Sequence, residues 1–423
     1  MPSSFEKPTL TFTLTFESEG AWPTAVALLD GGSKLAAADR TGAIYLWDIA
    51  GDPPKLDPKA KKEGAADAAA AGADRPPYRS LVGHTNAVTR LVALPDGRTL
   101  VSAGLDRTVR VWDAKATAND HAEVILDVER RKREAKKSGK KEGDAKPAPG
   151  IKVETIKPLA TLEQHAEWIN ALSASRDGKR IISGDDAARV MVWDVATRKP
   201  VAQWTGRIGG WITSAALDAQ GKMAFVGEFC SSRGDFDRPP PEARLFDVEE
   251  ARKQDAAAPA APGVTASAPV KVDILAVQTP QVKKRDNSYE YFSAWSKFVA
   301  RGFVAADFSP DGALVALAQG GETDTGKIHL IETATGKLTK SVSGHQYGAT
   351  DVLFDKDGEH ILSAGRDTVV RIVTVKDGKE VAVLGKPRGG QFKDWITAIA
   401  LSPDQKTLAA ADMAGTVQVW RFG

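Results

Sequence analysis

The chain has 423 residues, 42% hydrophobic and 26% charged, and its 57 basic and 55 acidic side chains leave a formal charge of +2 that points to no class of partner. A single cysteine, Cys230, excludes an intramolecular disulfide framework and any Cys-based zinc or haem motif. The start, MPSSFEKPTLTFTLTF, alternates apolar and polar residues, and no later run approaches the ~18 apolar residues of a membrane span. With no export signal or span in this chain, a soluble, cytoplasmic protein is the default expectation, although a leader removed from it would leave no trace.

In chain order, the alternating segment Thr9 to Phe16 reads as a strand separate from the repeating units. A first unit then runs from Trp22 to IYLWD, Ile44 to Asp48, and is succeeded by an Ala-, Pro- and Lys-rich insertion over 49–78. The next unit, GHTNAVTRLVALPDGRTLVSAGLDRTVRVWD from Gly83 to Asp113, is the most complete. Its apolar run Ala87 to Leu94, turn Pro95-Asp96-Gly97, alternating Thr99 to Ser102, turn Gly104-Leu105-Asp106 and final Val109 to Trp112 read as three strands of a small sheet. A second insertion, 114–155, carries DHAEVILDVERRKR, which reads as a short helix capped by Asp120, and a basic run over 130–146. Further units end in VMVWD (Val190 to Asp194), ARLFD (Ala243 to Asp247), IHLIE (Ile328 to Glu332), VRIVT (Val370 to Thr374) and VQVWR (Val417 to Arg421). A third insertion covers 249–270, and KKRDNSYEYFSAWSKFVARG, Lys283 to Gly302, reads as an aromatic helix with Asn287 as N-cap and Phe292, Trp295 and Val299 on one face.

Seven units spaced like four-stranded blades, with Gly83-His84 at the start and Trp112-Asp113 at the end of the clearest one, resemble the WD-repeat family of β-propellers. The resemblance implies an all-β, seven-bladed propeller, with blades at about 17–84, 85–165, 166–208, 209–280, 300–345, 346–388 and 389–423. Residues 9–16 would supply the outer strand of the last blade and close the ring. The three insertions at 49–78, 114–155 and 249–270 come after third strands, emerge on one face and are expected to be mobile. The resemblance also implies a buried network in which a His joins a Ser, an Asp and a Trp. Blade two has the full set, His84, Ser102, Asp106 and Trp112; blade three has His165, Ser183 and Trp193, with Ala187 where the Asp belongs; blade six has His345, Ser363 and Asp367, with Val373 for the Trp. Blades one and seven carry a different turn, with Asp39 and Asp412 bonding to it.

No constellation for catalysis, metal or cofactor emerges, and the His–Ser–Asp trios are expected to be structural, so the family implies a non-catalytic platform. The expected function is an interaction scaffold or subunit of an assembly, a monomeric propeller or part of a hetero-complex, binding a protein or peptide. Nucleic-acid association through the basic run 130–146 is the alternative, and a propeller enzyme a third reading. The face opposite the low-complexity insertions carries Trp22, Trp168, Trp211 and Trp395 at loop ends. These rings either pack on neighbouring blades or form a recognition surface. The insertion residues Tyr289, Tyr291, Phe292, Trp295 and Phe298 either cover the disc as core or line the partner site, with Arg301 and Lys393 at the rim. Arg233-Gly234-Asp235 matches an adhesion tripeptide, a match that arises by chance far more often than by function.

Overall fold

A computed structural model describes residues 5, 7–15, 22–51, 76–118, 120–124, 151–205, 210–230, 243–249, 270–271, 303–320, 326–387, 392 and 394–423. Its strands form seven small antiparallel-based sheets, six of four strands and one of six, each packed against the next around a central channel. Among the described residues no helix is long and apolar enough to cross a membrane.

Each blade starts with an innermost strand, and all seven of these strands carry a β-bulge near their start. The extra residue is Thr24, Thr89, Asn170, Thr213, Val304, Thr350 and Thr397 in turn. A bulge re-aims one side chain out of the pleat, and in four blades the re-aimed group is a threonine hydroxyl that donates to the innermost strand of the adjacent blade. Thr24 Oγ1 donates to Val88 O at 2.5 Å, Thr89 to Ile169 O at 2.6 Å and Thr213 to Phe303 O at 2.6 Å. Thr397 donates to Pro23 O at 2.9 Å, which carries the stitch from blade seven to blade one.

The channel, a cavity of about 690 Å³ lined by residues of the innermost strands, is bridged. Arg90 of blade two donates to Val304 O of blade five at 2.8 Å, and Arg176 of blade three donates to Phe308 O at 3.0 Å and to Asp307 at 3.3 Å. Asp307 and Asp351 in turn accept backbone N–H groups of the next blade, from Phe354 at 2.7 Å and Ile399 at 2.9 Å. Burial pushes both carboxyls above the usual carboxylate value, opposed chiefly by Arg176 for Asp307 and by Arg90 for Asp351. Charges that satisfy one another across the hub make these residues braces.

The ring closes as the sequence implied. Thr9–Thr15 pairs antiparallel with Thr416–Arg421, with Leu10 opposite Trp420 and Leu14 opposite Val417. The alternation TLTFTLT puts Phe12 and Leu14, both fully buried, against Val26, Leu28, Leu35 and Trp47 of blade one. Phe5 is fully buried too, edge-on to Phe422 and His360.

One insertion departs from expectation. Within 114–155, Asp120–Val124 is a strand rather than the start of a helix, and it forms a hairpin with Ile151–Ile156. That hairpin does not stay in blade two: Ile151–Ile156 pairs parallel with Arg79–Leu81, so blade one becomes the six-stranded sheet. The alternation His121-Ala122-Glu123-Val124 suits a pleated surface with one apolar face, and pairing buries Val124 and Val153 beside Tyr45. Arg79 fixes the join, donating to Glu154 at 2.7 Å and to Ala114 O at 2.7 Å. The basic run 130–146 and the expected aromatic helix at 283–302 lie outside the described residues.

The closing strand can be probed in two ways. Phe12→Ala should cost roughly 3–5 kcal/mol in urea unfolding, as for a large apolar side chain removed from a packed interface. Deletion of residues 1–16 should expose the Thr416–Arg421 edge and cause aggregation; a monomeric truncation with an unchanged Tm would contradict this closure.

Candidate functional site

The three His-centred networks are built alike and sealed. In blade two, His84 Nδ1 lies 2.9 Å from Asp106 and its Nε2 lies 2.6 Å from Ser102 Oγ, which also accepts from Trp112 Nε1 at 2.8 Å. With the carboxylate as acceptor, Nδ1 carries the proton and Ser102 donates to Nε2. Burial alone would raise the Asp106 pKa, but the hydrogen bond from His84, with those from Thr108 and the Thr85 N–H, outweighs it and holds the carboxyl far below its usual range. The side chains of His84, His165 and His345 have no solvent exposure. In blade six, His345 bonds Asp367 at 2.8 Å and Ser363 at 2.9 Å, with Val373 in place of the tryptophan.

Blade three corrects the sequence reading. The missing Asp is present as Asp185, two positions before Ala187, bonding His165 Nδ1 at 2.9 Å while Ser183 bonds Nε2 at 2.7 Å and accepts from Trp193 at 2.8 Å. The equivalent position in blade two is Gly104, and a Cβ built there would lie 3.0 Å from His84 Nδ1. A short carboxylate rooted at that position therefore reaches the same nitrogen, and two turn sequences solve one geometric problem. Blades one and seven place Asp39 and Asp412 at the same position. Oδ1 of Asp39, Asp185 and Asp412 alike accepts two N–H groups of the turn. Asp39 has no His above it: its Oδ2 is buried without a hydrogen-bond partner, and burial lifts its pKa, whereas His165 helps hold Asp185 low against the same burial.

The opposite ends of these turns make the surface. All innermost strands start on one face, so the residue just before or at each start lies on it. Trp22, Trp168, Trp211 and Trp395 are 39%, 51%, 39% and 42% exposed, in contrast to the fully buried Trp47, Trp112 and Trp193. Backbone bonds hold two of them down while the rings stay out: Asp186 N donates to Trp168 O at 3.0 Å, and Met413 N to Trp395 O at 2.9 Å. They belong to blades seven, one, three and four, an arc rather than a full circle. Arginines from second-to-third-strand turns accompany them. Arg40 stacks over Trp22 and Arg366 over Trp395, each at 4.6 Å, and Arg107 donates to Ala166 O at 3.3 Å, two residues before Trp168.

The WD40 family, described as WD domain, G-beta repeat, matches residues 75–113, 156–194, 336–373 and 382–421, each span running from the outer strand of one blade into the three inner strands of the next. The chain is a seven-bladed β-propeller with four WD repeats. It is 32% identical over 97 residues to Autophagy-related protein 16 of Arabidopsis thaliana, covering 22% of this propeller and 18% of that protein. It is 31% identical over 115 residues to a WD repeat-containing protein 55 homolog of Drosophila persimilis, covering 27% and 21%. To Nuclear distribution protein PAC1-2 of Uncinocarpus reesii (strain UAMH 1704) it is 26% identical over 196 residues, covering 41% and 38%. The propeller thus spans well under half the length of these relatives.

Of the residues expected at the partner site, the structure brings the four tryptophans to one face. Tyr289, Tyr291, Phe292, Trp295, Phe298, Arg301 and Lys393 lie outside the described residues, as does Arg233-Gly234-Asp235. The sequence reading missed the arginines at 40, 107 and 366; their signal was an Arg directly after Asp39, Asp106 and Gly365 in three equivalent turns. His329, read from the sequence as a third-strand residue with no role, is buried in blade five between Ser341 at 2.8 Å and Gln319 at 3.0 Å. Among the described residues no cluster of His, Cys, Asp or Glu is arranged to hold a metal ion.

Two tests check these assignments. Asp185→Ala should cost about 1–3 kcal/mol by orphaning His165 in a buried site, whereas Ala187→Asp, at an exposed position, should change stability by less than about 0.5 kcal/mol; the reverse order would contradict the network. His329 is held by burial, and to a lesser degree by Lys327, at a pKa of about 4 against a usual 6.5. The unfolded chain therefore takes up a proton that the folded one refuses, and stability should fall as pH drops from about 6.5 to 4, by up to ~1.4 kcal/mol per pH unit. His329→Leu should flatten that part of the urea-midpoint profile relative to the parent protein.

Proposed function

We propose that this propeller is a non-catalytic scaffold that captures a protein or peptide partner on its tryptophan-bearing face. The observation that carries the reading is the set of four exposed tryptophans on one arc of that face, each rooted at the start of a rigid, stitched strand. Large rings with two rotatable bonds, fixed on a stiff backbone, lose little entropy on binding and bury much apolar area. Exposed clusters of this kind are uncommon on surfaces with no partner. The His networks have no solvent access and serve the frame. The segment Tyr289 to Phe298, with Arg301 and Lys393 at the rim, belongs to the proposed surface by its place in the sequence. Nucleic-acid association through 130–146 gains no specific support from the fold.

The test is affinity capture by the intact chain, repeated with Trp168→Ala/Trp395→Ala. Both rings are already about half exposed, so Tm should fall only modestly while the captured partner is lost. Capture that survives the double variant but disappears when residues 125–150 are excised would overturn the assignment to this face.

A further inference from the structure

Building on that reading, we infer that the segment recognised on this face is acidic: guanidinium groups of Arg40 and Arg107 receive its carboxylate or phosphate groups while its apolar residues lie on the tryptophans. The turns sort their charges by direction. Every second-to-third-strand turn described above carries an aspartate, but Asp39, Asp185, Asp367 and Asp412 are at most 2% exposed, and the Asp106 side chain, beneath His84, is 4% exposed. These carboxylates are spent inward, on turn N–H groups and histidines. The arginines within three of the turns point the other way. Arg40 and Arg107 are exposed, and among the described residues no carboxylate pairs with either. The outward-facing charge of the arc from blade seven to blade two is therefore positive, although the protein as a whole is nearly neutral.

Geometry makes these groups receptors rather than solvated charges. A guanidinium held over an indole, as Arg40 is over Trp22 at 4.6 Å, still has N–H groups to offer, and a planar fork positioned in advance receives an oxyanion at little further entropic cost. Arg107 is fixed by its bond to Ala166 O on the loop that presents Trp168. Arg40 and Arg107 sit on adjacent blades whose loops touch: a Cβ on Gly42 would lie 2.9 Å from both His84 O and Asn86 O. Charge and aromatic surface thus alternate along the arc as Arg366 with Trp395, Arg40 with Trp22, then Arg107 beside Trp168. An extended segment with interspersed acidic and apolar residues fits that order. Among the described residues the opposing carboxylates are few: Asp394 is engaged with the Trp395 N–H at 2.7 Å, Asp186 receives Asn170 Nδ2 at 2.6 Å, and Glu163 and Glu167 stand exposed on the loop at the far, blade-three end.

The experiment uses the full chain and dye-labelled copolymers of defined charge, poly(Glu,Tyr) against poly(Lys,Tyr), read by fluorescence anisotropy across a salt series. Poly(Glu,Tyr) should bind and poly(Lys,Tyr) should not. Arg40→Ala/Arg107→Ala should weaken the acidic polymer at least about tenfold and flatten its salt dependence, with Tm unchanged to show that the ring is intact. Arg40→Lys should restore only part of the affinity, because a point charge does not stack as a fork does. A phosphoserine-Leu peptide compared with a Glu-Leu peptide then tells phosphate from carboxylate as the favoured source. Equal binding of both copolymers, binding of neither, or acidic binding unaffected by the double arginine variant would overturn the inference; the last would assign the attraction to the basic residues 130–146. If the acidic preference fails while Trp168→Ala/Trp395→Ala still abolishes partner capture, the interaction face stands and only its charge preference is wrong.

Discussion

Every blade of this protein depends on the ring being closed, and closure rests on one antiparallel pair, Thr9–Thr15 on Thr416–Arg421. A blade in isolation is a small twisted sheet with too little buried surface to persist. It becomes stable by packing both faces on neighbours, and an open ring leaves two blades short of one. The closing strand answers both needs. Its backbone completes the last sheet, and its alternate side chains Phe12 and Leu14 build the interface with blade one around Trp47. Arg421 adds a bond from the last strand to Ile49 O at 2.8 Å, and Thr397 a stitch to Pro23 O.

The frame then sets the chemistry of the two ends of each strand. A bulge at the start of every innermost strand re-aims one side chain out of the pleat, and in four blades a threonine hydroxyl there bonds to the adjacent blade at the narrow hub. Repeat proteins are held chiefly by contacts between sequential units. Arg90 and Arg176 add ties between blades that are not sequential, which resists shear of the disc. The result is a rigid rim on which loop residues are presented with little freedom. Rigidity is what gives four exposed rings and three neighbouring arginines a defined spacing.

Much of this frame was legible in the residues. Thr9 to Phe16 was placed as the closing strand from its alternation and from a last unit lacking a fourth strand, and the structure gives Thr9–Thr15. The His84–Ser102–Asp106–Trp112 network was readable because blade two keeps every member. Asp185 was missed because the position of the acid was transferred from one turn to another, whereas what is kept is the location of the carboxylate beside the His ring. The hairpin of Asp120–Val124 and Ile151–Ile156 was missed for a different reason. Its partner strand, Arg79–Leu81, lies in the previous blade and pairs in parallel, so no local pattern announces it. Whether a loop tryptophan packs inward or stands out is likewise decided by which turn approaches it, and the stacking of Arg40 and Arg366 on such rings is a contact between turns that spacing along the chain does not encode.

On the reading proposed above, the rigid aromatic face, and not the low-complexity insertions, is where this propeller meets its partner. Hydroxyl-radical footprinting of the chain alone and in complex with its captured partner probes that contact site by site, because exposed indoles are among the most readily oxidised side chains. Oxidation of Trp22, Trp168, Trp211 and Trp395 should fall together on complex formation while residues 125–150 stay as accessible as before. Unchanged oxidation of all four tryptophans, with protection confined to residues 125–150, would contradict it.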